Sequence, residues 1–144
     1  MSRILVLNGP NLGRLGSREP DVYGSATLDD LRAVLETEVA DGDSLELRQT
    51  DDEGELIGWL HEAVDTRSAV ILNPAAFTHY SYGLRDAAAQ VTGAGLPLVE
   101  VHLSNPHARE RFRHTSVISA IATGVIAGFG FDSYRLALRA VSGF

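Results

Sequence analysis

Apolar positions along the chain follow two different rhythms. Short apolar, β-rich runs recur at Ile4 to Leu7, Leu45 to Leu47, Ala69 to Leu72, Leu96 to Val101 and roughly Ile121 to Ala127. Runs of this length and composition predict strands buried on both faces. Between them, apolar residues fall at helical spacing: Leu28, Leu31, Val34, Leu35 and Val39; then Leu56, Ile57, Leu60 and Val64; then Leu84, Ala87, Ala88 and Val91. Strand and helix alternate, which predicts an α/β domain spanning residues 1–144, a doubly wound five-stranded parallel sheet of order 2-1-3-4-5 with helices on both faces. Thr27 with Asp30 three residues on forms a variant capping box for the first helix, and Asp52, Glu53 and Glu55 crowd the start of the second. The longest uncharged stretch, Thr115 to Phe131, is broken by serine, threonine and glycine. It is too short and too interrupted to span a bilayer, and is expected to form buried sheet. No repeat, linker or low-complexity segment interrupts the pattern.

One connection is out of proportion. Strand-to-helix loops in α/β units usually take about 2 to 6 residues, yet residues 9–26 show no periodic pattern. Gly9, Gly13, Gly16 and Gly24 permit unusual backbone angles, Pro10 and Pro20 stiffen the segment, and Arg14, Arg18 and Tyr23 give it chemistry. It is expected to act as an active-site lid.

Composition then removes whole classes of chemistry. All 12 basic residues are arginines, and lysine and cysteine are both absent. Imine catalysis through lysine, a P-loop lysine, thiol nucleophiles and thiolate metal sites are therefore excluded. A formal charge of -7 argues against nucleic acid, whose binding needs clustered positive charge, so an anionic ligand must be small. The N-terminal apolar run is too short for a secretory leader. A cytoplasmic location and no membrane partner are expected.

In an open parallel sheet ligands bind beyond the carboxyl ends of the strands, near the point where strand order reverses. Strand 1 runs into Asn8, Gly9, Pro10 and Asn11, and strand 3 into Asn73, Pro74, Ala75, Ala76, Phe77, Thr78 and His79. Such residues also make ordinary turns, but two matching loops at the switch point suggest a site. On strand 4, alternation places Glu100, His102 and Ser104 on one face, with the imidazole between a carboxylate and a hydroxyl. A carboxylate partner fixes the ring tautomer and suits proton transfer; a structural histidine at a strand end is the alternative. Arg109, Arg111 and Arg113, with His107 and His114, are either a solvated helix face or the source of an arginine turned toward an anion. Tyr23 is a packing residue or a base, the latter with Arg18 favouring its phenolate. Gly128 and Gly130 follow the last strand rather than opening a βαβ unit, so they are no dinucleotide fingerprint. Glu100, His102 and His107 match no familiar metal spacing.

Taken together, several segments resemble the type II 3-dehydroquinate dehydratases: Asn8-Gly9-Pro10-Asn11-Leu12, Gly16 to Pro20 through Tyr23-Gly24, Asn73-Pro74-Ala75-Ala76 with Thr78-His79, Leu84-Arg85-Asp86, Glu100 to Asn105, and Ile121 to Gly124. They follow family order and spacing along almost the whole chain. The resemblance implies a flavodoxin-like domain that eliminates water from 3-dehydroquinate to give 3-dehydroshikimate, without cofactor or metal, in the shikimate route to aromatic compounds. It implies that Tyr23 removes a proton beside the ketone, aided by Arg18. Asn11 would stabilise the enolate through a water, and His102, oriented by Glu100, would protonate the departing hydroxyl. Asn73, His79, Leu103, Ser104 and Arg113 would hold the substrate, and Asp86 would reach the site of a neighbouring subunit in a homododecamer of four trimers. Gly13 stands where asparagine is common, and Tyr80, Tyr82 and Gly83 replace smaller or aliphatic residues. The alternatives are the same reaction in quinate breakdown, or a noncatalytic flavin-binding or receiver module on the same fold.

Overall fold

Successive residues of each central strand belong to different cores, and that alternation builds the molecule. The computed structural model describes residues 2–17 and 25–144. In β1 (Arg3–Asn8), Ile4 and Val6 pack on one face while Leu5 and Leu7 pack on the other. In β3 (Ala69–Asn73), Ala69 and Ile71 join the first face, Val70 and Leu72 the second. With β2 (Ser44–Gln49), β4 (Leu98–His102) and β5 (Gly124–Ala127) they form one parallel sheet of order β2-β1-β3-β4-β5, as the pattern predicts.

Helices cover both faces. On one lie α1 (Leu28–Glu38), through Leu31 and Leu35, and α4 (Phe131–Ser142), through Tyr134, Ala137, Leu138 and Val141. On the other lie α2 (Glu53–Asp65), through Leu56, Leu60 and Ala63, and α3 (Tyr82–Gly93), through Leu84, Ala87, Ala88 and Val91. The capping box is formed: the Asp30 amide donates to the Thr27 hydroxyl and the Thr27 amide to the Asp30 carboxylate. Asp52 caps α2 by accepting from the Glu55 amide. Beyond the three helices expected from apolar spacing, α4 is a fourth, and Tyr134, Ala137, Leu138 and Val141 carry the i, i+3, i+4, i+7 spacing that marks one.

Two expectations need correction. Strand 4 begins at Leu98 rather than Leu96, because Pro97 has no N–H for the ladder and contributes only its carbonyl, to the Val70 amide. The stretch 115–131 is not continuous sheet. Only Gly124–Ala127 is strand, preceded by a 3₁₀ turn at Ser119–Ile121. Residues 116–122 instead fold back across the second face, where Ile118 is buried and the Val117 amide donates to the Thr78 carbonyl at 2.7 Å.

The departures at Gly13, Tyr80, Tyr82 and Gly83 are absorbed locally. A Cβ at Gly13 would stand 2.8 Å from Gln49 Oε1, so Gln49 fills the room a larger residue would need. Ser81 caps α3, Gly83 approaches Ile57 of α2, and the two tyrosines stay exposed. At the free edge, Arg48 of β2 pairs with Glu46 and Glu62 and lies over the Trp59 ring, 5.5 Å from its centre, while Arg3 also bonds Glu62. Hydrogen bonds from Arg48 and then Arg3 hold the Glu62 carboxyl down at about 2. Charges of this kind discourage pairing with another strand.

Gly9 is required by contact. A Cβ there would meet the Pro74 carbonyl oxygen at 2.7 Å, and the Gly9 amide donates to the Asn73 carbonyl at 2.8 Å. The loops after β1 and β3 are therefore pressed backbone to backbone. Gly9→Ala is expected to destabilise the fold by about 1–3 kcal/mol through overpacking, read as a lower urea midpoint. An unchanged midpoint would show that the loops can part.

Candidate active site

β1, β3 and β4 deliver their last residues to the same edge of the sheet, with Asn8 opposite Asn73 and Leu72 opposite Glu100. Both loops beyond β1 and β3 hold a non-glycine residue in the left-handed region, Asn11 at φ 71° and Ala75 at φ 51°. Each is braced. The Asn11 amide donates to Asp51 Oδ1 at 2.9 Å, and the Ala75 amide to Asn73 Oδ1 at 3.0 Å. Backbone strain of this kind gathers at ligand sites, and both residues line a cavity of about 250 Å³.

That cavity collects most of the expected residues. Asn11, Asn73, His79, His102, Leu103, Ser104 and Arg113 all line it, together with Pro10, Leu12, Ala76, Pro106, Arg109 and Phe112. No acidic side chain does so among the described residues, although the chain carries a net charge of -7. Two arginines and two histidines in an acidic protein make a local site for a small anion. Neither the Leu103 nor the Ser104 amide donates to a backbone carbonyl among the described residues, so both can serve an anionic oxygen.

Glu100 organises the chemistry. Its side chain is 0% exposed, and donors surround it. Oε2 receives the Thr78 hydroxyl at 2.6 Å and meets His102 Nε2 at 2.6 Å; Oε1 receives the Ser119 hydroxyl at 2.6 Å; the Ser116 hydroxyl lies 3.1 and 3.2 Å from the two oxygens. Burial pushes the Glu100 carboxyl up, but hydrogen bonding and charge from His102, with Ser119 and Thr78, outweigh it and leave it below the ordinary carboxylate value. A fixed anion next to Nε2 selects the tautomer with its proton there. Nδ1 has no partner among the described residues.

The hydroxyl of Ser104 does not complete this group. β4 ends at His102, strand alternation stops with it, and Ser104 instead accepts from Arg109 Nη1 at 3.3 Å. The hydroxyls that surround Glu100 are those of Thr78, Ser116 and Ser119, to which strand alternation gives no role. The segment from 106 to 114 is two 3₁₀ turns, Pro106–Ala108 and Arg111–His114, not a helix face. Arg113 is held by Glu110 at 3.0 Å, and His79 Nδ1 lies 2.8 Å from the Thr115 carbonyl. Asp86 is exposed on α3 and lines no part of this chain's cavity. Of the expected lid, Leu12 and Leu15 are buried in the first core, so its opening turn is anchored. Arg18 and Tyr23 lie outside the described residues. Among the described residues no three histidine, aspartate or glutamate side chains stand close enough to hold a metal ion.

The depressed Glu100 carboxyl contributes stability that is present above the ordinary carboxylate range and is lost as pH falls through its lowered value. Removing a donor in Ser119→Ala brings the folded value back toward the ordinary one. The variant is therefore expected to be less stable than wild type at pH 7 by about 1 kcal/mol, with the gap narrowing toward pH 3. An equal gap at both pH values in thermal melts would show that Ser119 does not hold the anion.

Comparison with known proteins gives consistent matches. The family model described as dehydroquinase class II matches residues 2–142. The 3-dehydroquinate dehydratase of Salinispora tropica is 59% identical over 138 residues, 95% of this chain and 94% of that protein. The 3-dehydroquinate dehydratase of Kineococcus radiotolerans is 56% identical over 142 residues, 98% of this chain and 95% of that protein. The crystal structure of type II dehydroquinase from Propionibacterium acnes superposes with a TM-score of 0.92 at 50% identity, covering 100% of this chain and 98% of that one.

Proposed function

Because the chain belongs to the class II dehydroquinase family, we infer that it is a 3-dehydroquinate dehydratase, with its own residues dividing the elimination of water between a base and an acid. The observation that carries the reading is the pair of the buried Glu100 carboxylate and the His102 imidazole, the latter opening onto a cavity of about 250 Å³ with no acidic lining among the described residues. A noncatalytic binding module on the same fold falls with the family assignment.

A hydrogen beside a ketone is weakly acidic, so its removal needs a positioned base and a donor for the enolate oxygen. Tyr23 takes this proton, with Arg18 favouring the phenolate, and a water held by Asn11 supports the enolate. His102, held by Glu100, protonates the hydroxyl that leaves. Loss of water conjugates the new double bond with the ketone. Asn73, His79, Leu103, Ser104 and Arg113 hold the ring and its carboxylate. No covalent intermediate through lysine is available, since the chain has none, and the acid–base chemistry asks for neither cofactor nor metal. We propose that the enzyme serves aromatic biosynthesis through shikimate; the same reaction also serves quinate breakdown. A cytoplasmic location is part of the same proposal. No helix among the described residues is long and apolar enough to cross a membrane.

Asp86, at the exposed surface of α3, completes the cavity of a neighbouring copy within an assembly of four trimers. Asp86→Ala is expected to impair activity or assembly; a fully active monomer in sedimentation at micromolar concentration refutes that part.

Activity is tested by the ultraviolet absorbance of the conjugated product from 3-dehydroquinate, which borohydride added with substrate should leave intact. Tyr23→Phe and His102→Ala are each expected to lower kcat by at least about 10²-fold with smaller changes in KM. Glu100→Gln combined with His102→Ala should cost no more than His102→Ala alone, because the two residues serve one step. Multiplying losses would separate them. Retention of wild-type exchange at the carbon beside the ketone in Tyr23→Phe would place the base elsewhere.

A further inference from the structure

Tyr134 has the largest fully buried side chain among the described residues and carries a hydroxyl that the reaction does not use. It rises from α4 to the carboxyl ends of β1 and β3, where it donates to Asn8 Oδ1 at 2.6 Å and accepts from Asn73 Nδ2 at 2.8 Å. Burial pushes the phenol up, so it stays protonated.

Backbone groups at the two ends fix the direction of every hydrogen in this chain. The Arg48 carbonyl can only accept, so Asn8 turns its Nδ2 to it, at 3.0 Å, and leaves Oδ1 for the phenol. The phenol proton is thereby committed to Asn8, and the phenol oxygen can only accept from Asn73. At the other end the Ala75 amide can only donate, which requires Asn73 Oδ1, at 3.0 Å. Reversing either amide would set two acceptors or two donors face to face away from water, a costly arrangement. One N–H of Asn73 Nδ2 is left without a partner among the described residues, and Asn73 lines the cavity.

We propose that Tyr134 is a positioning residue for Asn73: the ordered run from the Arg48 carbonyl through Asn8 and Tyr134 fixes the Asn73 amide so that its remaining N–H is presented as a donor to a substrate oxygen. This rests on the reading of Asn73 as a substrate contact. The same run holds Ala75 in its left-handed conformation, so the C-terminal helix governs two residues of the cavity wall.

The test is a double-mutant cycle with 3-dehydroquinate. Tyr134→Phe keeps the ring and removes the acceptor for Asn73. It is expected to raise KM by roughly 3- to 10-fold with a smaller change in kcat, the signature of lost ground-state binding. In an Asn73→Ala background the same substitution should change KM by less than about two-fold, because its route to the substrate is already gone. Asn8→Ala leaves the phenol in place but removes the acceptor that fixes its proton, and should move KM in the same direction. A merely structural Tyr134 would lower the melting temperature and multiply with Asn73→Ala, which overturns the proposal. Raised KM in Asn73→Ala beside wild-type KM in Tyr134→Phe overturns it too, while leaving the reading of Asn73 intact. Wild-type KM in Asn73→Ala overturns that reading, and the proposal with it.

Discussion

A carboxylate placed inside a parallel sheet loses several kcal/mol of hydration unless donors replace the water. Glu100 meets this condition with a histidine and three hydroxyls. Those donors come from three different parts of the chain, and each dictates a local structure. Thr78 requires the 3₁₀ turn after β3, which brings its hydroxyl over β4. Ser116 and Ser119 require the chain after residue 114 to bend back instead of extending into strand. The Ser116 oxygen accepts the Ile118 and Ser119 amides at 3.1 and 3.0 Å, so both its lone pairs are engaged and its own proton is directed toward Thr78 or Glu100. The backbone dipoles of that turn thereby reach the carboxylate that holds the His102 imidazole.

The legible parts of the sequence are those with a period. β1 and β3 declare themselves by unbroken apolar runs, α1 by its capping box, and the Glu100–His102 pair by two-residue alternation. The same rule misassigns Ser104, because alternation lapses where the strand stops. Thr78, Ser116 and Ser119 sit on turns, which have no period, and their convergence depends on three segments distant in sequence. The stretch after residue 114 looks like sheet because Val117, Ile118 and Ile121 are apolar, yet they are apolar to cover the second core. Tyr134 lies in a helical pattern that is plain once the end of the chain is considered, but its bond to Asn73 joins positions 61 residues apart and has no local signature.

Charge is distributed with a similar economy. Several arginines away from the cavity are paired with carboxylates, Arg135 with Glu38 and Asp132, Arg32 with Asp29, and Arg48 with Glu62. The cavity at the strand ends, by contrast, is lined by two arginines and two histidines and by no acidic side chain among the described residues. Small anions are drawn there while polyanions are repelled by the rest of the surface.

The indole at position 59, stacked beneath Arg48 on α2, has an optical consequence. It is the only tryptophan of the chain, and no residue of α2 lines the cavity. Its emission therefore monitors the edge formed by β2 and α2, where loss of the Arg48 contact would alter both the polarity and the quenching around the ring. Fluorescence is in this protein a gauge of the far side of the sheet, and occupancy of the cavity has to be followed by absorbance of the ligand itself.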